Sequence, residues 1–158
     1  MKKIAQNLSI ILLMLILTNC GFKVVDKTKL NNFSIKEITS SGDKRINFKI
    51  KNNLSINTAK QNDNKLLVSL KTKKNKIIKE KNIKNEITKY QILLTAEIDF
   101  NLIKVGKMYK EKVVISGDYL VGDNYSITIA NEKKLVDQLV EDISEKILNE
   151  INKKLNDI

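Results

Sequence analysis

The sequence predicts an α/β (α+β) two-layer sandwich, with two helices on one face of a four-stranded, mostly antiparallel sheet in the order β-α-β-β-β-α. Three observations carry this reading. Across residues 90–103, seven consecutive even positions are apolar or aromatic and five of the seven odd ones are polar. That two-residue period marks a strand with one buried and one wet face, the pattern of an antiparallel sheet. Residues 109–121 return with Val113, Ile115, Tyr119 and Val121 on one face, so the two strands form a long hairpin. Residues 131–158 carry Leu135, Val136, Leu139, Val140, Ile143, Ile147, Ile151, Leu155 and Ile158 at steps of three and four, the apolar stripe of an amphipathic helix.

The remaining elements follow in chain order. Residues 33–39 (FSIKEIT) alternate roughly and are rich in branched and aromatic side chains, as a first strand requires. Ser40-Ser41-Gly42-Asp43 reads as a turn. In residues 44–55, Ile46, Ile50 and Leu54 fall at intervals of four, which predicts a helix reaching to about Thr58, with Asp43 or a preceding serine as its cap. Alternation of Ile46, Phe48 and Ile50 leaves a strand as the competing reading. Gln61-Asn62-Asp63-Asn64 is a loop, and residues 65–72 form a second strand with Leu66, Val68 and Leu70 on one face. Residues 71–89 are the most basic stretch and have no sustained period. They read as the end of strand two, a solvated loop and the start of strand three. Val105-Gly106-Lys107 supplies the next turn, and Gly117 inside strand four marks a bulge or a close backbone approach. Gly122-Asp123-Asn124 ends that strand, and Asn131 is the expected N-cap of the last helix.

Residues 1–19 read as an export signal. Lys2 and Lys3 precede an apolar run over residues 8–17. That run is roughly half of the ~20 residues that span a bilayer as a helix. Cys20, the one cysteine in the chain, stands where cleavage would fall. The placement resembles the bacterial lipoprotein signal, in which the peptide is cut before a cysteine that then receives acyl chains. Leu17 and Thr18 fit that pattern, whereas Asn19 stands where a smaller residue is usual. An ordinary secretory signal with an incidental cysteine, or an N-terminal membrane anchor, is the alternative. The expected organisation is a signal over 1–19, a lipidated tether over 20–32 and one domain over 33–158.

Composition narrows the function. The chain of 158 residues has a net charge of +11, and +9 once Lys2 and Lys3 leave with the signal. Such a field favours anionic partners, although a Lys-, Asn- and Ile-rich composition explains part of it. Export argues against nucleic acid. Lipid on Cys20 leaves no thiol for a disulfide. Histidine is absent, so the usual base near neutral pH and the commonest metal ligand are both missing. No metal or cofactor is expected. Glu97, Asp99 and Asp118 lie on neighbouring strands and could meet, but their alternation places them on a polar sheet face. With no Ser-His, Cys-His, P-loop or Gly-rich nucleotide signature, no enzyme activity is expected.

The chain resembles the LPS-assembly lipoprotein LptE family. The likeness rests on Cys20-Gly21-Phe22 after the signal, the element order, the long hairpin opened by Tyr90-Gln91-Ile92, and Asp123-Asn124-Tyr125-Ser126 with Ala130 before the terminal helix. It departs after Phe22, where Lys23-Val24-Val25 replaces a segment that often contains Pro-Leu. The resemblance implies an outer-membrane lipoprotein on the periplasmic side that plugs the LptD barrel, helps it assemble and contacts lipopolysaccharide. Lys73, Lys74, Lys76 and Lys79 are the candidate contacts to lipopolysaccharide phosphates, since lysine meets phosphate as a point charge. The plainer reading of these four is a solvated loop that maintains solubility. A generic envelope lipoprotein adaptor, binding another protein, is the alternative function.

Overall fold

In a computed structural model the described residues are 33–58 and 62–157. The elements are β1 (Ser34–Gly42), α1 (Lys44–Ile56), β2 (Lys65–Lys81), β3 (Ile87–Leu102), β4 (Lys107–Leu120) and α2 (Tyr125–Asn156). The sheet order is β1-β2-β3-β4. β1 runs parallel to β2 through the α1 crossover, and the other two pairings are antiparallel, so the sheet is mixed. The expected α+β order is the order found.

One face of the sheet carries the core. Leu66, Val68 and Leu70 of β2, the even positions 92–102 of β3, and Val113, Ile115 and Tyr119 of β4 are all buried. Against them pack Ile46, Ile50 and Leu54 of α1 and Leu139, Val140, Ile143, Ile147, Leu148 and Ile151 of α2. The helical reading of residues 44–55 wins over the strand reading for a visible reason. Phe48, which a strand would place beside Ile46 and Ile50, is exposed, while the four-residue series is buried. Asp43 fixes the start of α1: its Oδ1 accepts the N–H groups of Arg45 and Ile46, each at 3.1 Å.

Three expectations are corrected. The turn placed at residues 40–43 is strand as far as Gly42, because Ser40, Ser41 and Gly42 pair with Leu70, Lys71 and Thr72 of β2. Gly42 is required there: its φ is +94°, and a Cβ would lie 2.1 Å from the Thr72 carbonyl oxygen. The last helix begins at Tyr125 rather than at 131. Asn124 is its cap, with Oδ1 accepting the Ile127 N–H at 2.9 Å. Asn131 instead donates its side-chain N–H to the Leu120 carbonyl, tying α2 to β4. The first turns of α2 hold exposed Tyr125, Ile127 and Ile129, so the apolar stripe gives no sign of them. Third, the solvated loop expected within residues 71–89 shrinks to a turn between Lys81 and Ile87.

Gly117 marks a close approach and not a bulge. It pairs in register with Ile92, and a Cβ there would lie 2.6 Å from Cδ1 of Leu135. The glycine therefore lets α2 settle directly on β4.

Candidate functional site

The basic stretch is a strand because β3 supplies a partner for it. Lys73, Lys74 and Lys76 pair with Thr95, Leu94 and Ile92, and pairing continues past Ile78 through a register shift to Lys81. The ladder overrides the weak strand preference of a lysine-rich segment. The four candidate lysines thus divide between the two faces of the sheet and do not gather in a loop.

Lys74 and Lys76 continue the core parity of Leu66, Val68 and Leu70 and meet α2. Both reach Glu132, at 3.3 Å to Oε1 and 2.8 Å to Oε2 respectively. The Tyr119 hydroxyl donates to Glu132 Oε2 at 2.8 Å. Tyr90 and Tyr119 stack at 5.6 Å between centroids, and Lys76 Nζ lies 4.1 Å from the centre of the Tyr90 ring. Burial pushes the Glu132 carboxyl up, but hydrogen bonds from Lys76, Tyr119 and Lys74 outweigh it and hold the group down at about 2. Burial works against the Lys76 ammonium too, and its hydrogen bonds to Glu132 and Tyr119 outweigh it, so its pKa is raised. Burial raises the Tyr119 hydroxyl, helped by the Glu132 charge. This cluster joins β2, β3, β4 and α2, and its two lysines share the one carboxylate of Glu132.

Lys73 and Lys79 lie differently. Lys73 sits in the row Lys73–Thr95–Val114 on the face away from the helices and forms no ion pair among the described residues. Lys79 stands 3.9 Å from Asp118. The same face carries the pairs Lys71–Glu97 at 3.5 Å and Lys110–Asp99 at 3.7 Å. The three carboxylates considered above do not converge: Asp118 pairs with Gln91, six residues along β3 from Glu97, or roughly 20 Å. Glu97 and Asp99 are two residues apart and each faces a lysine. The open face therefore presents alternating charges, with Leu67, Val114 and Met108 exposed among them.

Nothing in the helical stripe of residues 131–158 singles out Glu132. The available signal was parity. Carrying the even series of β2 past Thr72 places Lys74 and Lys76 on the face shared by Tyr90 and Tyr119. Cys20, the candidate lipid-attachment residue, lies outside the described residues. Among the described residues no group of three or more His, Cys, Asp or Glu is placed to hold a metal. No helix among them is long and apolar enough to cross a membrane.

The fold is that of a class of solved bacterial lipoproteins. No protein-family model matches the chain, and no curated protein matches it in sequence. Among solved structures, the chain is similar to the rare lipoprotein B of Shewanella oneidensis, with a TM-score of 0.62 and 17% identity over 80% of this chain and 98% of that one. It is also similar to lipoprotein B of Nitrosomonas europaea, with a TM-score of 0.61 and 13% identity over 86% and 93% of the two chains. A minor lipoprotein of Acinetobacter baumannii aligns with a TM-score of 0.51 and 12% identity, over 78% and 92%. At these identities the shared property is the fold.

Proposed function

We propose that this chain is a non-enzymatic outer-membrane lipoprotein, anchored through acylated Cys20 on the periplasmic side. In this reading it plugs an LptD-like β-barrel, assists its assembly and contacts lipopolysaccharide on its way to the outer leaflet. The observation that carries the reading is the joining of a signal ending in Cys20-Gly21-Phe22 to a complete lipoprotein-type sandwich. A rigid domain with a charged, mixed-sign face suits the polar lumen of a large barrel. Lys73 and Lys79, on or beside that face, are the members of the lysine set best placed for lipopolysaccharide phosphates. Lys74 and Lys76 serve the fold through Glu132.

Purification from detergent tests the partner: a very large β-barrel should accompany the protein, and its absence overturns the plug. Mass spectrometry of the mature protein should find acyl mass on a chain beginning at Cys20; an intact Met1 overturns the anchor. A Lys73→Glu/Lys79→Glu variant should bind lipopolysaccharide several-fold more weakly with an unchanged far-UV circular dichroism spectrum. Unchanged binding removes these lysines from the contact.

A further inference from the structure

The tip of the β2–β3 hairpin holds an apolar side chain that the fold leaves uncovered. Ile83 is fully exposed at the apex, and Ile77 and Ile78 behind it are about half exposed. The turn that presents Ile83 is built by Asn82. Its Oδ1 accepts the N–H groups of Lys84 and Glu86 at 2.9 and 3.0 Å, and its side-chain N–H donates to Glu86 Oε2 at 2.7 Å. Asn85 takes the left-handed conformation, φ 64°, that closes the turn, a conformation asparagine adopts more readily than most residues. Cations surround the apex: residues 73–89 contain seven lysines against Glu80 and Glu86. Lys84 at the tip forms no ion pair among the described residues, and Lys81 is held only by the neutral Asn85 side chain at 2.9 Å. The pairing of Ser34 with Lys65 places the start of β1 at the other end of the sheet, roughly 50 Å away along β2.

We infer that this tip docks on an anionic phospholipid bilayer, with Ile83 entering the acyl boundary and Lys81 and Lys84 resting among the headgroup phosphates. A membrane interface has this order of layers, apolar within and anionic at the surface, over the few ångströms that separate an apex side chain from its flanking lysines. A water-soluble polyanion would satisfy the lysines and leave Ile83 in water. A protein partner would need far more surface than one hairpin tip offers, since stable interfaces bury about 800 Å² on each side. The inference goes beyond the function proposed above and requires neither the barrel nor acylation of Cys20.

The chain contains no tryptophan, so Ile83→Trp places a single reporter at the apex. The full chain carrying this substitution is reconstituted into phosphatidylcholine vesicles with and without one third phosphatidylglycerol. The expected result is a blue-shifted emission, quenched by bromine-labelled acyl chains, in the anionic vesicles only. Adding Lys81→Glu and Lys84→Glu should cut the quenched fraction about tenfold or more. A separate Phe48→Trp chain, with its reporter exposed on α1, should stay in water. Circular dichroism confirms that each variant is folded. No shift at the apex, an equal shift at position 48, or an apex shift produced by soluble lipopolysaccharide but not by the anionic vesicles each overturns the inference.

Discussion

Glu132 accepts hydrogen bonds from two lysines of one strand and a tyrosine of another, and it is only 17% exposed. A carboxylate held in this way contributes stability through its charged form. Its pKa in the folded chain, about 2, lies below the ordinary carboxylate value. The contribution is therefore complete above about pH 4.5 and is lost as the pH falls towards 2. Lys76 is 37% exposed, so solvent screens part of the effect, and about 1–2 kcal/mol is expected. Glu132→Gln should lower stability at pH 7 by that amount and flatten the acid limb of a denaturation series between pH 5 and 2. A wild-type acid limb in the variant would show that the cluster is not what acid disrupts.

At the scale of elements, the termini of α2 and its seat on β4 were set by contacts that periodicity does not record. Asn124→Ala removes the cap and should cost about 1 kcal/mol, with faster amide exchange over the first turn from Tyr125. Were Asn131 the cap, that turn would already exchange freely in the unmodified protein. Gly117 and Leu135 form a second such contact. Gly117→Ala should destabilise through its contact with the Leu135 methyl group, and the cost should shrink in a Leu135→Ala background. Additive effects in this double-mutant cycle would mean the helix does not rest on the glycine.

At the scale of the whole molecule, the described residues are held by one apolar layer between the sheet and the two helices, and the open face adds little. Its ion pairs, at 3.5–3.9 Å between substantially exposed side chains, are of a kind worth less than about 1 kcal/mol each. Raising the salt to about 1 M should therefore change the unfolding free energy only slightly. Leu94→Ala, which empties a fully buried position of the central strand β3, should cost about 2–5 kcal/mol, both effects being read from urea titrations. A salt effect as large as the Leu94 effect would reverse this ranking.

What the sequence determined by itself was the element order, the buried parity of each strand and the stripe of the long helix. Each of these is a local period that survives in one dimension. The even residues of β3 and the series from Leu139 to Ile151 were legible because burial repeats at the spacing of the backbone itself. Only the tertiary structure decided the fate of the lysines in residues 73–81. Their own composition favours solvent and a loop, but the neighbouring strand β3 supplies backbone partners that make them strand. Pairing then alternates their faces, so Lys74 and Lys76 meet Glu132 while Lys73 and Lys79 turn elsewhere. A partner 56 residues away leaves no mark on a local period, and charge counting treats paired and available lysines alike.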